Sequence, residues 1–446
     1  MKLTNGIRNF NINNRILTWA FVGILLISGV LSGLAGLNMV SHVNSNLTLS
    51  TSDISVNNSW EYGSSEYDDG FAITQDSSGN IYLGGITKKT GQYDMILIKV
   101  DQNGNQLWNR TWGGSGSEGT AGLAIDTDGN IYVTGYTAMG AGLFDMYLVK
   151  YSSSGTRIWN RNRGFTLKTS FGHKIAFDSS DNPYVVGTHD SDIIVYKYSK
   201  TGTYQWNQTW DSGDSDHGYD ILIDDSDKIY LVGSAKGVGA GERDVVILKY
   251  GTGFEGYTTW GGTEDDYGNS ICSDATYLYI GGGTWSYGPG GQDVLLVKYD
   301  TSLNQQWNST FGTATLNETS NSIAIYQNSI YLGGNVGMNN PIDDVLLVQM
   351  DKLVGLYLFN KTWDSGMGVS DLSDGIIYNS NGYVYMVATA DYPDPTKSEI
   401  ILIQWDLGET AGGIPGFRIE IIMIAMMIIL PVILILKKKN KYLNFN

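Results

Sequence analysis

The chain has 446 residues and a formal net charge of −17 at pH 7, with 57 Gly, 29 Tyr and 12 Trp against 7 Pro. This acidic balance excludes nucleic acid as a partner, because the phosphates would be repelled. Many Gly and aromatic residues with few Pro favour short strands and tight turns, and therefore an all-β fold. The single cysteine, Cys272, excludes an internal disulfide framework.

Residues 1–43 have the layout of a signal peptide or an uncleaved signal anchor. Lys2, Arg8 and Arg15 precede an apolar, uncharged stretch over residues 16–40. The stretch is also long enough to span a bilayer as a helix, so cleavage and retention both remain open. Residues 44–54 follow as a linker, and we expect the rest of the chain to be exported.

One unit recurs seven times over residues 55–406. A tyrosine in a hairpin marks each return, at intervals of 46 to 54 residues: Tyr82, Tyr132, Tyr184, Tyr230, Tyr279, Tyr331 and Tyr385. Propellers and solenoids repeat with periods of this size. Each unit contains four short segments with period-two alternation, bounded by turns such as residues 76–80. Four strands make one propeller blade.

The seventh repeat predicts how the ring closes. It ends near Asp406 without a fourth strand, whereas the segment around Trp60, before the first repeat, has the fourth-strand pattern. Pairing that N-terminal strand with the last three strands would leave no open edge between the first and last blades. We therefore predict an all-β fold, a seven-bladed β-propeller of four-stranded blades closed by the strand around Trp60.

The repeat also carries a family resemblance. It reads Asp-x-Gly, a strand, Asp-x-x-Gly-Asn-Ile-Tyr-x-x-Gly, and then Asp before an apolar strand. This pattern resembles the SBBP β-propeller repeat of extracellular bacterial and archaeal proteins, over about residues 60–406. The resemblance implies a propeller at the cell surface. It implies no activity, because members of the group are mostly surface proteins without an assigned reaction.

The C-terminal end predicts a membrane anchor. A Gly-rich linker at residues 407–418 leads into an apolar span at residues 419–436, predicted as a transmembrane helix, and a basic tail at residues 437–446. The tail should stay in the cytoplasm and the propeller outside the cell membrane. Pro415-Gly416-Phe417 resembles the sorting signal of archaeal surface proteins, which implies cleavage and exchange for a lipid. An ordinary transmembrane anchor is the other interpretation.

Two positions of the repeat are acidic. The first strand begins at Asp68, Glu118, Ser170, Asp216, Asp266, Glu318 and Asp371, and the third strand begins near Asp94, Asp145, Asp192, Asp244, Asp293, Asp344 and Glu399. Both positions lie at the same end of an antiparallel blade, so we predict two acidic rings on one face. The carboxylates either cap loop N–H groups or hold Ca²⁺ together with loop carbonyls.

The loops between second and third strands lie on that same face and differ from repeat to repeat, which is typical of binding surfaces. Trp285 and Tyr287 are candidates for stacking on a sugar or a peptide, with burial inside their loop as the alternative. His173 and His217 lie in corresponding segments of neighbouring blades. They are candidate ligand-binding residues near the central channel.

Seven Asn-x-Ser/Thr sequons occur, and Asn46 and Asn57 precede the first repeat. The others are predicted to carry glycans, four of them on the outer, fourth strands: Asn109, Asn207, Asn308, Asn317 and Asn360. Passive copying of the motif during duplication is the alternative.

The sequence lacks a Ser-centred nucleophile elbow, a His-Glu-x-x-His motif and a phosphate loop. We therefore predict a noncatalytic, membrane-anchored protein for adhesion or for recognition of a glycan, peptide or surface protein. One alternative is an extracellular lyase or hydrolase acting on a polysaccharide in the central channel by acid-base chemistry. Another is a purely structural component of the envelope.

Overall fold

The computed structural model describes residues 55–407, apart from residues 65–66, 90, 165–167, 338–342 and 380–381. The predicted signal segment, the N-terminal linker, the Gly-rich linker beyond residue 407, the apolar span at residues 419–436 and the basic tail lie outside the described residues. None of the described residues forms a helix with the length and apolarity needed to cross a membrane.

The described residues form 28 strands in seven antiparallel sheets of four. Blade 1 consists of β2 (Asp68–Gln75), β3 (Ile81–Lys89), β4 (Gln92–Val100) and β5 (Gln106–Trp112), and blade 2 of β6 (Glu118–Ile125), β7 (Ile131–Gly140), β8 (Leu143–Tyr151) and β9 (Arg157–Arg163). Blade 3 consists of β10 (Ser170–Phe177), β11 (Pro183–His189), β12 (Asp192–Tyr198) and β13 (Tyr204–Trp210), and blade 4 of β14 (Asp216–Ile223), β15 (Ile229–Lys236), β16 (Arg243–Tyr250) and β17 (Phe254–Trp260). Blade 5 consists of β18 (Asp266–Ser273), β19 (Tyr277–Thr284), β20 (Asp293–Asp300) and β21 (Gln305–Phe311), and blade 6 of β22 (Glu318–Tyr326), β23 (Ser329–Val336), β24 (Asp344–Asp351) and β25 (Tyr357–Trp363).

Blade 7 combines the two ends of the described chain. Its sheet has the order β1-β28-β27-β26, formed by β1 (Ser55–Tyr62), β28 (Ser398–Asp406), β27 (Tyr383–Asp391) and β26 (Asp371–Tyr378). In β1, Trp60 is paired with Leu402 of β28. The predicted closure is therefore confirmed. The first strands of successive blades contact one another around the ring, and the last contact joins β26 to β2.

The apolar core lies between the blades. One cluster combines Ile81, Leu83 and Ile98 of blade 1 with Val387 and Leu402 of blade 7, all at most 1% exposed. A blade buries its apolar face only against its neighbour, so the ring gains stability from nearest-neighbour contacts. The repeat therefore has to be complete around the circle.

The tyrosines that mark the repeat are buried and hydrogen-bonded. In blade 2 the Tyr132 hydroxyl donates to the Asp126 carboxylate at 3.3 Å, and the Lys150 Nζ lies 2.9 Å from the same carboxylate. The same tyrosine, aspartate and lysine arrangement recurs in two other blades, as Tyr82, Asp76 and Lys99 and as Tyr184, Asp178 and Lys197. Buried polar groups need such partners.

In blades 6 and 7 a neutral amide stands where blades 1 to 3 have the lysine. Gln349 Nε2 donates to the Tyr331 hydroxyl at 3.2 Å, and Gln404 Nε2 donates to the Tyr385 hydroxyl at 2.6 Å. The turns before these tyrosines have no aspartate at the corresponding place: Tyr326 stands there in blade 6 and Asn379 in blade 7. Blades 6 and 7 thus lack both the lysine and the aspartate, so neither is left as a buried ion without its partner.

Candidate functional site

A groove of about 650 Å³ opens between blades 4 and 5, at the end of the propeller that carries the acidic positions. Its lining comes from the loop between β15 and β16, the connection from β17 to β18, and the loop between β19 and β20. The lining residues are Lys236, Glu242, Arg243, Glu264, Asp265, Trp285, Gly290 and Gly291. The groove thus combines both charge signs with one large aromatic ring.

The loop that carries Trp285 is held at several points. The backbone N–H of Trp285 donates to the Asp265 carbonyl at 3.0 Å, and the Ser286 hydroxyl donates to the Asp266 carboxylate at 2.7 Å. Gly290 has no space for a side chain, because a Cβ there would collide with the Thr313 carbonyl of the next connection. These contacts pre-organise the loop while the Trp285 side chain stays 42% exposed.

Tyr287 is 48% exposed but is turned toward the protein. Its ring is tilted against Trp260 with centroids 5.2 Å apart, and its hydroxyl donates to the Gly261 carbonyl at 3.3 Å. It does not line the groove. Of the two predicted stacking residues, Trp285 is the one that presents its ring to the groove.

Arg243 is fixed by its own blade. Its guanidinium donates to the Ser215 carbonyl at 3.2 Å and to the Ser234 hydroxyl at 3.4 Å. Lys236 forms an exposed ion pair with Glu242 at 3.4 Å. Such a pair contributes little to stability, so both side chains are available to a ligand.

The acidic positions lie at one end of the blades, as predicted. Asp68 of β2 and Asp94 of β4 are both paired in register with Thr87 of β3. The two predicted rings are, however, interleaved: the third-strand acid of one blade lies beside the first-strand acid of the next. Burial raises the pKa of Glu118, and repulsion from Asp94 adds to this effect. Burial likewise raises the pKa of Asp244, and there the added repulsion comes from Asp266.

This arrangement recurs at six of the seven junctions between blades. The pairs of a third-strand acid with the first-strand acid of the next blade are Glu399 with Asp68, Asp94 with Glu118, Asp192 with Asp216, Asp244 with Asp266, Asp293 with Glu318, and Asp344 with Asp371. The seventh junction, between Asp145 and Ser170, has one acid only.

The first-strand acids also cap the connections between blades. Asp216 accepts the Ser212 N–H at 2.7 Å, Asp266 accepts the Gly262 N–H at 2.8 Å, and Asp371 accepts the Ser365 N–H at 2.6 Å. Capping uses one oxygen in most of these residues. A second oxygen is buried without a partner in Asp68, Asp266 and Asp371.

The two candidate histidines are separated by Tyr219. The His173 and Tyr219 rings meet edge to face at 5.9 Å, and the His217 and Tyr219 rings stack at 6.1 Å. Burial, with smaller contributions from His217 and Lys174, lowers the pKa of His173 to about 4. His173 therefore stays neutral at pH 7, and neither histidine lines the groove.

More ionisable side chains accompany His173 on the first strands. Burial raises the pKa of Asp374 to about 6 against the opposing effect of Lys174, and burial likewise raises the pKa of Asp220. Asp220 also accepts the Ile271 N–H of the next blade at 2.9 Å, so it links two first strands.

The sequons differ in exposure. Asn109 and Asn308 are exposed, and Asn207 and Asn360 are partly buried on their fourth strands. Asn317 is 4% exposed and accepts the Gln292 N–H at 3.0 Å. Asn57 is exposed at the closing strand, and Asn46 lies outside the described residues.

We expect glycan occupancy to follow this exposure. In protein purified from its native source, peptide mass spectrometry should find Asn109 and Asn308 modified and Asn317 bare, because a glycan on Asn317 would have to displace a buried contact. A heavily occupied Asn317 beside a bare Asn109 would contradict this prediction.

The variable loop from Lys236 to Arg243 was predicted as part of the binding face. None of the five charged groove residues was identified individually, because these loops differ between repeats: Lys236, Glu242, Arg243, Glu264 and Asp265. Sequence reasoning also missed Asp211 and Asp364, which do occupy an alignable position, directly after the aromatic residue that ends the fourth strand. Aligning the repeats on that residue would have found them.

Comparisons with known proteins agree on the fold. Residues 117–138 match the family model of the SBBP β-propeller repeat. An uncharacterized WD repeat-containing protein of Acanthamoeba polyphaga mimivirus is 27% identical over 132 residues, which cover 25% of this chain and 9% of that protein. This chain thus spans less than a tenth of the length of that relative.

Solved structures are similar over most of the ring. The polysaccharide lyase Uly1 is 10% identical with a TM-score of 0.51, covering 78% of this chain and 91% of that chain. The β-propeller domain of the Trilobed protease from Pyrococcus furiosus is 10% identical with a TM-score of 0.47, covering 80% and 99%. The similarity to Uly1, at 10% identity, shows a shared fold and no more.

Proposed function

We propose that this chain, a seven-bladed β-propeller with an SBBP-type repeat, is a noncatalytic recognition protein of the cell surface that binds a glycan between blades 4 and 5. The observation that carries the proposal is Trp285, an exposed indole on a pre-organised loop at a groove of about 650 Å³. A sugar ring packs its C–H face on an aromatic ring of this kind.

The rest of the groove suits hydroxyl groups. Arg243 and Lys236 supply hydrogen-bond donors, and Glu264 and Asp265 supply acceptors, around the same indole. A sugar hydroxyl both donates and accepts, so a mixed set of fixed partners can orient it. Two cationic side chains stand against three carboxylates in the lining, so the groove suits an uncharged glycan.

The location completes the proposal. The apolar ends predicted at residues 1–43 and 419–436 would hold the propeller outside the cell membrane. A rigid ring displayed in this way, with unlike loops on one face, suits adhesion or recognition.

Replacing Trp285 with Ala should weaken glycan binding by the full-length protein at least about tenfold, because the lost stacking contact contributes on the order of 1.4 kcal/mol or more. Isothermal titration with a glycan retained by the wild type measures the change. Phe254→Ala is the matched control, since Phe254 is a 50% exposed aromatic of blade 4 that does not line the groove. Equal affinities for wild type and Trp285→Ala would refute the proposed site.

A second candidate function is hydrolysis or lysis of a polysaccharide in the central channel. It is favoured by the half-buried set of His173, Asp220 and Asp374, since Asp374 with its pKa near 6 can hold a proton that general acid catalysis needs. Release of reducing ends from a polysaccharide, lost on Asp374→Asn, would support this enzyme. Intact polysaccharide after long incubation would favour recognition.

A further inference from the structure

The position directly after the fourth strand distinguishes two junctions between blades from the other five. It is glycine at five of them, namely Gly63, Gly113, Gly164, Gly261 and Gly312, and aspartate at two, Asp211 and Asp364. At each of the five glycines an added Cβ would come closer than 3.0 Å to a carboxylate oxygen. Glycine therefore makes room for the acids of the junction, and the two aspartates add a third carboxylate to it.

The junction of blades 6 and 7 brings three of these carboxylates together. Asp344, Asp364 and Asp371 each offer one oxygen within 4.8 Å of those of the other two. Asp371 is fully buried, its Oδ2 accepts the Ser365 N–H at 2.6 Å, and the Ser365 side chain also hydrogen-bonds to the carboxylate. Asp371 Oδ1 is buried without a partner, and the same holds for Asp344 Oδ1 and for Asp343 Oδ1 beside it.

No cationic side chain neutralises this cluster in the part of the chain that the structure describes, since none of its ion pairs includes these four aspartates. The carboxyl of Asp371 is fully buried, and the carboxyls of Asp344 and Asp364 lie beside it. Buried charges without a partner are costly. A bound cation would remove that cost.

We propose that the junction of blades 6 and 7 binds Ca²⁺ through Asp344, Asp364 and Asp371. Oxygen ligands suit a hard cation, and Ca²⁺ takes them at about 2.3–2.6 Å in a flexible geometry. The three oxygens lie within 4.8 Å of one another, so a single Ca²⁺ can contact all of them. Asp343, loop carbonyls and water complete the shell of six to eight oxygens that Ca²⁺ takes.

The site goes beyond the proposed glycan groove and shares no residue with it. Its ligands come from β24, from the connection after β25 and from the first residue of β26. Ca²⁺ would thus tie blade 6 to blade 7, the blade in which the ring closes, and would stabilise the folded ring.

The junction of blades 3 and 4 is the internal comparison. Asp192, Asp211 and Asp216 form a similar triad there. Both oxygens of Asp216 are already used, Oδ2 by the Ser212 N–H and Oδ1 by the Ser212 hydroxyl, each at 2.7 Å. This triad therefore has no orphaned buried oxygen in its first-strand acid, and we assign no ion to it.

The test compares Asp364→Gly with Asp211→Gly in the full-length protein. Both variants restore the residue that five junctions already have, so both should fold. At a free Ca²⁺ concentration about 100-fold above Kd, the Tm of the wild type should rise by about 4 °C over its value in EGTA. Asp364→Gly should lose this rise, and Asp211→Gly should keep it.

Tb³⁺ luminescence gives a direct second measurement, because Trp363 precedes Asp364 and can sensitise a lanthanide held there. We expect emission from the wild type and from Asp211→Gly, displaced by Ca²⁺, and none from Asp364→Gly. An unchanged wild-type Tm up to about 10 mM Ca²⁺, beyond the range of weak extracellular sites, would overturn the proposal. A calcium response that survives Asp364→Gly, or that Asp211→Gly also abolishes, would overturn the assignment to this junction.

Discussion

Asp126→Ala is expected to lower the free energy of unfolding by about 3–5 kcal/mol, the usual cost of removing one partner of a buried ion pair. The side chains of Asp126 and Lys150 are 0% and 6% exposed, and their charged atoms lie 2.9 Å apart. Without Asp126, the Lys150 ammonium is left buried against the Tyr132 ring, with the Lys200 carbonyl 3.5 Å away. Denaturant titration followed by tryptophan fluorescence measures the change.

Asp101→Ala is the matched control. Asp101 makes the same turn contacts as Asp126, accepting the N–H groups of Asn103 and Asn105, but it has no lysine partner in a buried pair. Its loss should cost only about 1 kcal/mol, the value of ordinary turn hydrogen bonds. Equal costs for the two variants would show that the buried pair adds nothing.

The effect of Asp126 should also depend on pH. Burial alone would raise its pKa, but hydrogen bonds from Asn130 and the contact with Lys150 outweigh burial and leave the pKa below its ordinary value. A carboxyl with a depressed folded pKa stabilises the protein above its unfolded pKa of about 3.9, and this contribution is lost as the pH falls through the folded value. The difference in stability between wild type and Asp126→Ala should therefore begin to shrink below about pH 4 and continue to shrink as the pH falls through the folded pKa.

Tyr62→Ala should destabilise the ring by about 3–5 kcal/mol, as truncation of a buried aromatic does. Tyr62 ends the closing strand β1, is 7% exposed, and packs with Ile81 and Leu402 of the two blades that meet there. Its hydroxyl donates to the Gly104 carbonyl of blade 1 at 2.7 Å. Hydrogen exchange should show β28 losing protection first, because β1 is its outer partner.

Two further variants isolate the closure. Tyr62→Phe should cost only about 1 kcal/mol, since it removes the hydrogen bond and keeps the ring. Ser59→Ala changes an exposed side chain of the same strand and should have little effect. If Tyr62→Ala is as stable as Ser59→Ala, the packing of β1 does not hold the ring closed.

The fold could be predicted from the sequence because the same pattern of strands recurs seven times. The recurring tyrosine gave the number of blades, and the missing fourth strand after Asp406 gave the closure through Trp60, which the pairing of β1 with β28 confirms. A signal repeated in every blade survives the loss of one copy, as in blade 3, where Ser170 replaces the acid of the first strand.

The site could be predicted only in part. Trp285 stood out as a large aromatic in a Gly-rich loop, but Arg243 and Lys236 join it through the curvature of the ring, which places loops of two blades side by side. The two acidic rings were predicted at the correct end. Their interleaving across the junctions depends on which neighbouring blade each side chain faces. The alternation of apolar and polar residues along one strand does not show which blade that is.

A glycan array probed with the purified full-length protein tests the central proposal most directly, with the retained glycans then analysed by mass spectrometry. The wild type should retain a defined set of glycans and release them unchanged, and Trp285→Ala should lose them. Retention of no glycan, retention that is unaltered by Trp285→Ala, or recovery of cleaved products would contradict recognition at this groove.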